Sequence, residues 1–221
     1  MPLKRTGSLR RIARLTARRP HSTATSSSRT ALEPRERAAL ADLLLRLGPD
    51  AATLCTGWRT RDLAAHLVLR ESHPFAAVGI ALPLLRRYTE RAQARLAAGD
   101  FPALVERLGA GPPRWSPLAW PVLREAANGI EFFVHHEDVR RAQPEWQPRD
   151  LGDDVEEVLW VRLRRIARLV LRRDAVELRR AGTAQQIVIG RRPPRRIVIG
   201  RPSELVLYVF GRRAHARVDE Q

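Results

Sequence analysis

Cysteine, methionine and lysine are almost missing from this 221-residue chain, which has one of each: Cys55, Met1 and Lys4. A lone cysteine cannot close an internal disulfide, and it excludes a cysteine-based zinc finger or an iron–sulfur site. Its scarcity fits a reducing compartment, and a cytoplasmic location is the expectation. No run of about 18 apolar residues is present, so no membrane span is expected. The basic start is not followed by an apolar stretch of the length a secretory signal needs. What the chain does have is 44% apolar residues, enough to bury a core in one large domain or in a bundle with a small appendix.

Charge is the next imbalance. The formal net charge is +16, and 39 of the 40 basic residues are arginine, the usage of a GC-rich coding sequence. Residues 1–30 carry eight basic and no acidic side chains, residues 31–160 carry 16 and 19, and residues 161–221 carry 16 and 5. The excess therefore lies at the two ends, around a slightly acidic middle. The first thirty residues end in a Ser/Thr tract and read as a disordered basic tail. Leu9, Ile12 and Leu15, interleaved with Arg10, Arg11 and Arg14, form a basic amphipathic turn suited to a membrane surface, with a solvated tail as the plainer reading.

Helical periodicity starts at Ala31. Leu40, Leu43, Leu44 and Leu47 recur at three and four, and Gly48-Pro49 stops the run. A second helix is expected from Thr60, read as its N-cap with Asp62 in the first turn, to Pro74. A third is expected at 81–98 and a short one at 102–108. GAGPPRWSPLAWP follows, read as an ordered loop because its two tryptophans suit contact more than solvent. A fourth long helix is expected at 119–141. Four long helices suggest an antiparallel bundle over 31–150.

The segment 142–152 marks a boundary. Beyond it an amphipathic helix is expected to bury Val158, Leu159, Leu163, Ile166, Leu169 and Val170. The period then shortens: AVELRR, QQIVIG and RRIVIG are β-branched, and Ile-Val-Ile-Gly-Arg occurs at 187–191 and again at 197–201. Two paired strands joined by a loop are the simplest account. A helix capped by Ser203 and ended by Gly211, then a strand near 214–218, complete a small α/β unit over 151–221.

The chemistry is concentrated in Glu131-Phe132-Phe133-Val134-His135-His136-Glu137-Asp138. Glu131 and His135, four apart on a helix, project from one face. His66, in an apolar stretch of the second helix, can complete a set of two imidazoles and a carboxylate, suited to zinc or a similar divalent ion with positions left open. Packed, hydrogen-bonded histidines are the alternative. His136 turns about 100° away and offers another register. Asp62 and Asp138 are candidates to orient the ring nitrogens, or are surface carboxylates. His21, His73 and His215 receive no role.

The stretches LGPDAATLCTGWRTRDLAAHLVLRE, GPPRWSP and NGIEFFVHHEDVRRAQPEWQPR resemble an actinobacterial metal-binding family of the mycothiol-dependent maleylpyruvate isomerase and DinB-like superfamily. The resemblance covers about residues 31–218. It implies a mainly α protein, a DinB-like four-helix bundle with a small sterol-carrier-like α/β domain. It also implies a divalent metal, usually zinc, on His66, Glu131 and His135. Family members usually continue past HARVDEQ, so the C-terminal domain is expected to be shortened.

The resemblance further implies mycothiol as co-substrate, activated by the metal as a thiolate that attacks an electrophilic small molecule. Cys55 is then not needed as a nucleophile and reads as a small buried hydrophobe. Arg140 and Arg141 are candidates for a substrate carboxylate, or simply cations at a helix C-terminus. The competing readings are an arginine-driven module for nucleic acid or an acidic partner, and a metal-binding protein without catalysis.

Overall fold

The computed structural model describes residues 31–72, 83–190 and 193–221. The tail expected over 1–30, together with His21 and His73, lies outside the described residues. Helix α1 (Leu32–Leu47), α2 (Thr60–Ser72), α3 (Pro83–Ala97), α4 (Phe101–Ala110) and α5 (Pro121–Arg140) come first. Helix α6 (Asp153–Val170), β1 (Val176–Arg180), β2 (Gln186–Ile189), β3 (Arg196–Gly200), α7 (Pro202–Val209) and β4 (Asp219–Glu220) follow. The described chain is mostly helical with one small mixed sheet, and no described helix is long and apolar enough to cross a membrane.

The start of α1 shows how sequence and packing share the work. Ala31 offers no side-chain cap. The carboxylate of Glu125 on α5 takes its place, accepting from the backbone N–H groups of Leu32 at 3.0 Å and Glu33 at 2.9 Å. Two orphan donors of the first turn are thereby satisfied from another helix. The same device recurs at α7, where Ser203 is not the cap expected of it: its N–H and hydroxyl both donate to Glu156 of α6, at 2.9 and 2.8 Å. Thr60 also departs from its expected role, lying within α2 and donating its hydroxyl to the Gly48 carbonyl at 2.6 Å.

Helix α1 packs along α5 and against α4, while α2 packs against α3 and α4. The apolar side chains gather into two cores. Leu40, Leu44, Leu63, Leu67, Leu108 and Phe132 belong to one. Phe133, Leu159, Trp160, Leu163, Leu178, Val198 and Tyr208 belong to the other. Phe132 and Phe133 are neighbours in sequence, but a 100° step per residue sends them to opposite cores. Helix α5 is thus a shared wall, and the C-terminal α/β unit is packed directly on it.

The sheet order is β2-β1-β3-β4. β1 runs antiparallel to β2 and parallel to β3, with Leu178 opposite both Ile187 and Val198. The two Ile-Val-Ile-Gly strands therefore do not pair with each other as expected; both flank β1. Each presents apolar residues to the same buried sheet face, and the AVELRR strand between them satisfies both inner edges. The last strand is Asp219–Glu220, preceded by a 3-10 turn at Arg213–His215 rather than a strand at 214–218.

Two other expectations change. Helix α6 buries Val155, Leu159, Trp160, Leu163 and Ala167, a stripe rotated away from Leu169 and Val170, which are exposed. Trp115 and Trp120 are exposed as well, although their loop is ordered by Ser116, whose side chain accepts from Leu118 N–H.

Candidate metal centre

Two helices and a turn build the site. Most residues of helix α2 are buried, with Leu63, Ala64, Ala65, Leu67 and Val68 in the first core, and His66 leaves the helix toward α5. The three residues Glu131, His135 and Asp138 rise on one face of α5, at spacings of four and three. The Glu131 Oε1 atom lies 3.3 Å from Nε2 of His135 and 3.8 Å from Nε2 of His66. The two imidazoles meet nearly edge to face, with centroids 5.6 Å apart. Trp58 also lies against His66, at 4.9 Å between centroids.

Behind His135 stands a second layer. Its Nδ1 is 3.0 Å from Oδ2 of Asp138, a carboxylate with no solvent exposure. Arg212, in the turn after α7, donates to both Asp138 oxygens, from Nε at 2.7 Å and from a terminal nitrogen at 2.6 Å. Cys55 Sγ lies 3.2 Å from the same carboxylate, 3.8 Å from His135 Nδ1 and 3.7 Å from Arg212. Cys55, Trp58, His135, Arg212 and His215 line a cavity of about 560 Å³.

The electrostatics follow from this packing. Burial works against the charge of Glu131, but hydrogen bonds from His135 and His66 and the nearby Arg70 guanidinium outweigh it and hold the carboxyl far below the usual range. Burial also opposes a charge on His135; Asp138, Cys55 and Glu131 together overcome it and raise its pKa well above the ordinary value. Asp138, buried but bonded to His135 and Arg212, falls to about 2. The bond to Asp138, against a smaller cost of burial, raises the pKa of Arg212.

The other expected residues are placed differently. Asp62 does not reach a histidine ring: it accepts from the backbone N–H of Arg59 at 2.8 Å and closes the first turn of α2. Arg141 is buried, paired with Glu137 at 2.6 Å and with both oxygens of Glu204, so it has no free face for a substrate. Arg140 binds Glu137 and the carbonyl of Gln147. His136 turns to the far side of α5 and meets Glu36 at 2.7 Å. Cys55 is half-buried: it packs against the first core and also lines the cavity wall.

Sequence reasoning passed over Cys55 as a site residue and Arg212 altogether. One arginine among 39 carries no local signal. Only its place just after the helix-ending Gly211, whose φ is +86°, marks it as a residue held in a fixed turn.

No family model matches the sequence, and no curated protein matches it significantly. Solved structures do match the fold. The crystal structures of a mycothiol-dependent maleylpyruvate isomerase and of its histidine-to-alanine mutant each superpose with a TM-score of 0.61. Each covers 88% of this chain and 92% of its own, at 15% identity. A likeness of this extent establishes a shared fold, with the helical part and the α/β unit in one common arrangement; chemistry is a property of the site built on it.

Proposed function

We propose that this chain binds a divalent metal, most naturally zinc, on His66, Glu131 and His135, and acts as a thiol-dependent isomerase or S-transferase. On this reading α1, α2, α3 and α5 are the four helices of a DinB-like bundle, and α6 to β4 form the sterol-carrier-like domain. One observation carries the proposal: three donor atoms from two helices, all within 4.8 Å of one another, converge beside the cavity in a fold shared with a mycothiol-dependent isomerase.

The donor set fits the ion. Ligands about 2.0–2.1 Å from a tetrahedral zinc stand about 3.3 Å from each other, and the separations from Glu131 Oε1 are 3.3 and 3.8 Å. Cys55, His135 and Asp138 form a second group of suitable donors. That group is the poorer choice, because Arg212 already places a guanidinium on both oxygens of Asp138 and would repel a cation there. A metal on the first set would lower the pKa of a small thiol and supply it as a nucleophile at neutral pH.

The chain's own residues support this use. Asp138 accepts the Nδ1 proton of His135, which leaves Nε2 as the free donor and fixes the ring plane. Arg212 holds Asp138 ionised and in place. Trp58 limits the swing of the His66 ring and walls the cavity. The cavity, lined by Arg212 and His215 as well as Cys55, has room for a small anionic electrophile beside the thiol. Mycothiol is the proposed thiol and a small electrophile the proposed substrate, in the cytoplasm.

Purified protein should carry one divalent metal per chain, and His135→Ala and His66→Ala should each lose most of it. Metal content untouched by either change would reject the site. Full metal loading with no measurable binding of mycothiol would retain the site and reject the thiol chemistry.

A further inference from the structure

The outer face of α6 is not used by the metal centre. Val158, Arg162, Arg165 and Leu169 follow one another at spacings of four, three and four, so they share one line on the helix. This line borders a groove of about 590 Å³ whose other wall is Pro121, Val122 and Ala126 of α5. Arg162 crosses to α5 and is neutralised by Glu125. It can do so because residue 129 is glycine; a Cβ there would collide with its guanidinium. Arg164, Arg165 and Arg168 are exposed and form no ion pair with any described residue. Leu169, 71% exposed, stands beside Arg165 and Arg168 on α6; across the groove Val122 is 80% exposed, and Trp120, two residues before it, 72%.

We propose that this groove and the arginine row beside it dock the protein on an anionic lipid surface. Unpaired cations alone would serve any polyanion. Here Arg165 and Arg168 stand beside exposed Leu169, with exposed Val122 across the groove, and these apolar side chains gain free energy by entering the boundary between headgroups and acyl chains while the guanidiniums meet phosphate. Nucleic acid offers no such apolar phase to aliphatic side chains. The chain's charge distribution points the same way. Ala31 lines this groove, and the thirty residues that precede it in sequence carry eight basic groups and no acid, a charge of the sign an anionic surface attracts.

Sedimentation of the full-length chain with phosphatidylcholine vesicles, with and without phosphatidylglycerol, tests this. Binding is expected only with phosphatidylglycerol. The double variant Arg165→Glu, Arg168→Glu should weaken it by at least about tenfold, and Val122→Asn with Leu169→Asn should weaken it several-fold at unchanged charge. All four side chains are exposed, so the variants should keep the wild-type circular dichroism. Wild-type binding by the arginine variant would assign the affinity to the tail and overturn the proposal. Tight binding of a single-stranded oligonucleotide that is lost in the arginine variant but kept in the asparagine variant would overturn it in favour of nucleic acid. Failure to bind phosphatidylglycerol vesicles would also overturn it. Metal content and thiol turnover are independent of all these outcomes.

Discussion

Arg212 holds Asp138 by both carboxylate oxygens, at 2.7 and 2.6 Å, across 74 residues of sequence. The C-terminal unit is therefore part of the wall of the candidate centre. Asp138 touches His135, so a side chain in the turn after α7 acts on a ring nitrogen of α5 through one intermediate.

Removing that guanidinium should be costly. Arg212→Ala leaves a fully buried carboxylate with one fewer charged partner, and a loss of about 3 kcal/mol is expected from breaking a buried pair. Urea unfolding measures it. Arg212→Lys should recover only part, since an ammonium cannot span both oxygens.

Orientation of His135 can be separated from ligation. Asp138→Asn should reduce metal affinity about 10–100-fold without abolishing it, the effect of losing a carboxylate that orients a ligand. His136→Ala, on the opposite face and bonded to Glu36, should lower stability and leave the metal stoichiometry intact. Competition with a chromogenic chelator reads both. Equal metal loss in the two variants would contradict the assignment of the faces.

Acid should unfold the protein partly through Glu36. Burial tends to raise its pKa, but hydrogen bonds from His136 and Arg149 outweigh burial and lower it below the ordinary 4.5. A carboxyl whose pKa is lower in the folded state stabilises fully above the unfolded-state value. The contribution is lost as pH falls through the folded-state value. Stability measured by urea at successive pH values should therefore fall from about pH 5 downward. Glu36→Gln should be less stable at neutral pH and show a shallower acid slope.

Gly190 is required by its backbone. Its φ is +79°, and a Cβ would collide with the carbonyl oxygen of Asp174. Gly190→Ala combines backbone strain with that clash, and about 1–3 kcal/mol of destabilisation is expected, visible as a lower Tm. Gly182→Ala, at a φ of +73° with open space around it, should show the strain without the clash and lose less.

Much of the helical organisation is legible in sequence because helix periodicity is local. The three/four spacing places α1 at Leu32–Leu47, and the fixed step of 100° puts Glu131, His135 and Asp138 on one side of α5 and His136 on the other. The β-branched runs likewise declare three strands. The strands' partners are not local: the repeated segments invite pairing with each other, yet β1 lies between them, because long-range burial chooses the neighbour. The same limit applies to Thr60 and Ser203, good caps by type, whose hydroxyls are used elsewhere in the packing while Glu125 and Glu156 serve the helix starts of α1 and α7.

By itself, the sequence determined the helices, the first three strand segments and the Glu131, His135, Asp138 ladder, since each depends on the geometry of a few consecutive residues. Only the tertiary structure decided that His66 faces that ladder, that Cys55 and Arg212 meet across 157 residues, and that Trp120 and Leu169 stay in water. Those outcomes depend on which surfaces exclude each other when distant elements pack, and no local spacing encodes that choice.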